Sequence, residues 1–108
     1  MQHDLSPAEV AELARRGEVT LVDVREPYEH EAGHIAGDRH IPLERLSEAA
    51  AQLDGPVIFY CRVGARSAMA AEAFRAAGLP AQNMAGGLLA WERSGLPLEP
   101  EGGSVAPH

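Results

Sequence analysis

Apolar residues recur along the chain in two spacings, one typical of buried strands and one of helices. Residues 57–60 form an unbroken run of Val, Ile, Phe and Tyr. Such a run is typical of a strand that is buried on both faces of a parallel sheet. Further strands are predicted over residues 19–24, over residues 39–41 as a short edge strand, and more weakly over residues 81–84.

Helical segments alternate with these strands. Ser6, Pro7 and Glu9 form a capping box with proline at the first helical position, and the helix that begins there is predicted to end at Gly17. Further helices are predicted over residues 27–32, 43–53, 67–77 and 88–93. Because strands alternate with helices, we expect an α/β domain with a mainly parallel sheet and helices on both faces.

The alternation of strands and helices ends before the C-terminus. Residues 99–108 show no periodicity, so we expect a mobile C-terminal tail after a single domain of residues 1–98. A chain of 108 residues is long enough for one core. No internal repeat or linker divides it.

Charge and cysteine content restrict the functional class. The net charge of −7 disfavours non-specific binding to nucleic acid or to an acidic membrane. No apolar run reaches the ~18 residues of a membrane span, and a helix start stands where a signal peptide would need an apolar run. The single cysteine excludes an internal disulfide and suits a reducing compartment. We therefore expect a cytoplasmic protein.

That cysteine occupies a position typical of a reactive group. Cys61 follows the central strand directly and opens a short loop to the next helix, and ligands bind at the carboxyl ends of strands in open α/β sheets. Unpaired N–H groups of the loop and the first helical turn stabilise a negative charge there. Arg62 and Arg66 add two cations, and Gly64 lets successive amides turn inward. These surroundings favour a thiolate over an inert buried thiol.

A group of histidines also has the composition of a metal site. His30 and His34 lie four residues apart, with His40 and the carboxylates of Glu29 and Glu31 nearby in the sequence. However, the glycine at position 33 is expected to end the helix between the first two histidines. We therefore expect no metal here.

Five sequence motifs resemble those of the rhodanese-like sulfurtransferases. The segment C-R-V-G-A-R-S at residues 61–67 is similar to the active-site loop of that family. Four further stretches agree in order and spacing: L-V-D-V-R-E at 21–26, E-A-G-H-I at 31–35, I-P-L at 41–43 and G-G-L-L-A-W-E-R-S-G-L-P at 86–97. The resemblance extends from about residue 5 to residue 98, nearly the whole chain.

The resemblance implies a rhodanese-like domain with a five-stranded sheet and a specific reaction. A Cys61 thiolate attacks the outer sulfur of a small anionic donor such as thiosulfate, expels sulfite and becomes a persulfide. A thiophilic acceptor then removes the sulfur: cyanide in vitro, a thiol or a protein partner in the cell. No cofactor is implied. The implied substrate-binding residues are Arg62, Val63, Gly64, Ala65, Arg66 and Ser67, and the supporting residues are Asp23, Arg25, Gly86 and Gly87.

Two other functions remain open at this stage. The domain could be a non-catalytic module that carries persulfide, senses oxidants or binds a protein. It could also be a cysteine-dependent phosphatase or arsenate reductase, because those enzymes also place a cysteine at a strand end beside an arginine. Their signature has five residues between the two, whereas only four separate Cys61 from Arg66.

Overall fold

The fold is a single parallel sheet, as the alternation of strands and helices predicted. The computed structural model describes residues 3–108. The five strands are all parallel and lie in the order β1-β5-β4-β2-β3. They are β1 (Asp4–Leu5), β2 (Thr20–Asp23), β3 (Arg39–His40), β4 (Val57–Tyr60) and β5 (Ala81–Met84). The pattern did not predict β1, because a strand of two residues is too short to show any periodicity.

Helices connect the strands at the predicted places, with one exception. They are α1 (Pro7–Arg16), α2 (Pro27–Ala32), α3 (Leu46–Ala49), α4 (Ala65–Ala76) and α5 (Gly87–Arg93). The prediction of one continuous helix over residues 43–53 is wrong, since 3-10 turns flank α3 at Leu43–Arg45 and Ala50–Gln52. Leu46 is the only residue buried in these three pieces, so packing stabilises little regular helix there.

Two hydrophobic clusters of described residues cover the faces of the sheet, and the central strand contributes to both. Phe59 packs in the cluster beneath α3 and α4, where its ring meets Phe74 edge-on at 4.9 Å. Ile58 and Tyr60 point the other way, into the cluster that includes Trp91 of α5. All four residues of β4 are buried, which confirms the prediction of a strand covered on both faces.

The C-terminal segment, expected to be a mobile tail, makes backbone contacts with the end of α2. The backbones of Glu99 and His34 exchange two hydrogen bonds of 2.8 Å, and the Ser104 N–H donates to the Ala32 carbonyl at 2.8 Å. A Cβ on Gly33 would overlap the backbone of Ser104. The segment is thus placed by contacts with the end of α2, which its own composition does not reveal.

No helix among the described residues combines the length and the apolar character that crossing a bilayer requires.

Candidate functional site

Backbone amides surround the sulfur of Cys61. The residue follows β4 directly and is 1% exposed. The Gly64 N–H donates to its Sγ at 3.1 Å and the Ser67 N–H at 3.4 Å, while the Ser67 Oγ lies 3.3 Å away. Donors aimed at a sulfur atom favour its anionic form. The sequence therefore placed the cysteine correctly, and the structure gives it the expected amide contacts.

The loop between Cys61 and α4 is shaped by one glycine in the left-handed region. Gly64 has a φ of +104° and precedes the first residue of α4, Ala65. The helix therefore begins two residues earlier than predicted, and Arg66 and Ser67 belong to its first turn. Val63 in this loop is 50% exposed, so the loop presents an apolar side chain to solvent.

A second glycine turn holds the loop from the opposite side. Gly86 and Gly87 have φ values of +75° and +62°, and the turn lets Leu88 donate to the Cys61 carbonyl at 2.8 Å. A Cβ on Gly87 would lie 2.6 Å from that carbonyl oxygen and would also overlap the Arg62 carbonyl. The two adjacent glycines thus allow a close approach of two backbone segments.

We expect Gly87→Ala to destabilise the protein by about 2 kcal/mol more than Gly78→Ala, because overpacking adds about 1–3 kcal/mol to backbone strain. Gly78 is a matched control, since its φ of +84° is equally left-handed but a Cβ there has no atom within 4 Å. Urea unfolding of both variants measures the difference. Equal midpoints would mean that the turn does not clamp the loop.

The two arginines of the loop have different surroundings. Arg66 makes a bidentate ion pair with the buried carboxylate of Glu29 on α2, with distances of 2.8 and 3.0 Å. Burial opposes ionisation of Glu29, but the hydrogen bonds from Arg66 outweigh it and lower the pKa of that carboxyl. The Arg62 Nε is buried and has no hydrogen-bond partner among the described residues. Arg66 thus ties the loop to α2, and its predicted contact with a donor stays a prediction.

Asp23 and Arg25 form a pair that is completely buried beside the site. The Arg25 guanidinium donates two hydrogen bonds of 2.8 Å to Asp23 and one of 2.7 Å to the Gly33 carbonyl. Burial raises the pKa of Asp23, but the hydrogen bonds and charge of Arg25 outweigh burial and lower it overall. The pair fastens the loop after β2, and its predicted supporting role at the active site stays a prediction. Glu29 pairs with Arg66 and not with Arg25.

The three histidines stack, although α2 ends before His34. The His30 ring lies 3.9 Å from that of His34 and 4.4 Å from that of His40, with interplanar angles of 15° and 10°. His30, His34 and Asp38 bring potential ligand atoms within 4.8 Å of one another. A metal ion lies in the plane of each coordinating imidazole, and parallel rings this far apart cannot both meet that condition. The stack instead packs against Asp23, whose Oδ2 lies 2.9 Å from the His30 Nδ1.

Sequence reasoning missed one polar side chain at the site. Asn83 of β5 is 5% exposed, and its Oδ1 lies 2.5 Å from the Ser67 Oγ. An amide within a short buried strand next to the strand of Cys61 was the available signal, because buried polar groups need partners.

The chain is similar to known proteins over most of its length. The model of the Rhodanese-like domain family matches residues 6–94. An HTH-type transcriptional regulator of Mycobacterium tuberculosis is 45% identical over 88% of this chain and 45% of its own length. The thiosulfate sulfurtransferase GlpE of Pseudomonas aeruginosa is 34% identical over 94% of this chain and 93% of its own.

One solved structure extends the comparison to the fold. A rhodanese-related protein from Thermoplasma volcanium has a TM-score of 0.82 and 33% identity, covering 89% of this chain and 96% of that one. The chain spans only 45% to 59% of the length of three of the curated relatives that it matches. The similarity to those proteins therefore concerns one part of each.

Proposed function

Since the chain belongs to the rhodanese-like domain family, we propose that this sulfurtransferase carries sulfane sulfur as a persulfide on Cys61. The donor is thiosulfate or another persulfide, and the acceptor is thiophilic. One observation supports this most directly: two backbone N–H groups, of Gly64 and Ser67, point at the Cys61 Sγ. No cofactor is part of the proposal.

The first half-reaction is a displacement at sulfur. The Cys61 thiolate forms a bond to the outer sulfur of thiosulfate, the sulfur–sulfur bond of thiosulfate breaks, and sulfite leaves with the electron pair. In the second half-reaction the acceptor attacks the outer sulfur of the persulfide, and the Cys61 thiolate is released. The amides of Gly64 and Ser67 stabilise the cysteine sulfur as nucleophile and as leaving group.

The arginines contribute in different ways to this reaction. Arg62 orients the anionic donor, because its guanidinium is not committed to a carboxylate in any ion pair of the described residues. Arg66 holds the loop on α2 through Glu29 and adds a positive field near the sulfur. Exposed Val63 and Ala65 leave the top of the loop open to an acceptor such as cyanide, a small thiol or a protein thiol. Neither nucleic acid nor a membrane takes part.

We expect the purified protein to form thiocyanate from thiosulfate and cyanide and to hydrolyse an aryl phosphate far more slowly. The phosphatase alternative needs a free arginine to clamp a phosphate, whereas Arg66 is held by both oxygens of Glu29. Colorimetric assays of thiocyanate and of the released phenol measure the two rates on one preparation. Faster phosphate hydrolysis would support the phosphatase. A protein with neither activity would support a non-catalytic module.

A further inference from the structure

A chain of three polar side chains leads from the edge of the sheet to the nucleophile. Asp4 on β1 contacts Asn83 on β5, Asn83 contacts Ser67, and the Ser67 Oγ lies 3.3 Å from the Cys61 Sγ. We propose that Asn83 is a positioning residue: its carbonyl oxygen accepts the hydrogen bond of the Ser67 hydroxyl and so keeps that hydroxyl from donating to the sulfur. This inference rests on the proposed function, in which Cys61 is the nucleophile.

The orientation of the Asn83 amide follows from its two neighbours. Its Nδ2 donates to the Asp4 Oδ1 at 3.1 Å, and a carboxylate only accepts hydrogen bonds. A flipped amide would place a carbonyl oxygen against that carboxylate. It would also place an NH₂ group 2.5 Å from the Ser67 Oγ, closer than N–H···O hydrogen bonds normally are. The carbonyl oxygen of Asn83 therefore faces Ser67.

The single hydroxyl hydrogen of Ser67 then has one preferred acceptor. Three acceptor atoms lie within reach: the Asn83 Oδ1 at 2.5 Å, and the Cys61 Sγ and Gly64 carbonyl oxygen at 3.3 Å each. The separation from Asn83 is by far the shortest and fits an O–H···O hydrogen bond. With its hydrogen directed at Asn83, Ser67 turns lone pairs towards the sulfur. It can accept from a thiol S–H but cannot stabilise a thiolate.

In the resting protein the Cys61 sulfur therefore has two hydrogen-bond donors instead of three. The amides of Gly64 and Ser67 favour the anion, whereas the hydroxyl of Ser67 becomes a third donor only when it leaves Asn83. Without the Asn83 carbonyl, the hydroxyl is free to donate to the sulfur. Removing that carbonyl should therefore make Cys61 ionise more readily, the opposite of what damage to the site would cause.

The test is the pH dependence of Cys61 alkylation by iodoacetamide, without any sulfur donor. In Asn83→Leu, which keeps a side chain of similar shape, we expect the midpoint to fall by about 0.5–1 pH unit, the effect of about one hydrogen bond. Below the midpoint, alkylation should be about three to ten times faster than in the wild type. In a Ser67→Ala background, Asn83→Leu should leave the midpoint unchanged, since Asn83 acts through that hydroxyl.

A second variant leaves the core intact if Asn83→Leu fails to fold. Asp4 is exposed, and Asp4→Ala removes the carboxylate that fixes the amide. It should lower the midpoint more in the wild-type background than in the Ser67→Ala background. An unchanged or higher midpoint, or an equal shift in both backgrounds, would overturn the inference. Because alkylation needs no sulfur transfer, a coupled shift in a protein that makes no thiocyanate would reject the proposed function and leave this inference standing.

Discussion

Replacing Cys61 by serine is expected to abolish thiocyanate formation, with a loss in kcat/KM of about 1000-fold or more. A hydroxyl is a much weaker acid than a thiol and makes no comparable attack on sulfur at neutral pH. Colorimetric assay of thiocyanate measures the loss. A matched control is Ser94→Ala, which removes an exposed hydroxyl that donates to the Ala90 carbonyl and should retain turnover.

The serine variant should also remain folded. Cys61 is 1% exposed, but the Gly64 and Ser67 amides can donate to a serine oxygen. A hydroxyl with such partners costs little free energy on burial. Urea unfolding checks this. Turnover retained in a folded Cys61→Ser would contradict the proposed mechanism.

The largest loss of stability is expected from Asp23→Ala, at about 3–5 kcal/mol. The variant leaves the Arg25 guanidinium completely buried without its carboxylate, and removing one partner of a buried ion pair strands the other charge. A matched control is Glu12→Ala, which removes a carboxylate from the exposed pair with Arg15 and should cost less than about 1 kcal/mol. Urea unfolding at neutral pH measures both changes. Equal costs would mean that the Asp23–Arg25 pair contributes no more than an exposed one.

The stability contributed by the Asp23–Arg25 pair should depend on pH, and the lowered pKa of Asp23 gives the direction of that dependence. The pKa of Asp23 is lower in the folded protein than its ordinary value near 3.9, so the pair contributes its full stability above that value. The contribution is lost as the pH falls through the lowered folded pKa. The difference in the free energy of unfolding between wild type and Asp23→Ala should therefore stay constant from about pH 7 to about pH 5. It should shrink in stronger acid.

The spacing of apolar and polar residues predicted those parts of the site that depend only on neighbouring residues in the sequence. The apolar run of β4 and the cysteine directly after it each follow from adjacent residues. The chemistry of the loop followed from the same local logic, because a strand end, a helix start and a glycine produce the amides that meet the Cys61 sulfur.

The features that the pattern missed depend on pairs of residues far apart in the sequence. Glu29 and Arg66 are 37 residues apart, and Asn83 and Asp4 are 79 apart. Nothing in either local stretch marks such partners, because a charged or amide side chain on a short element has the same local signature whether it is solvated or paired. The placement of residues 99–108 has the same origin, since it comes from contacts with α2 rather than from the segment itself.

Intact mass spectrometry after incubation with thiosulfate alone tests the central claim most directly. With no acceptor present, the persulfide has no route to turn over, so the first half-reaction should accumulate on Cys61. The proposal predicts that the wild-type protein becomes heavier by one sulfur atom, that cyanide restores its original mass, and that Cys61→Ser shows neither change. No gain of mass in the wild type, or the same gain in folded Cys61→Ser, would contradict it.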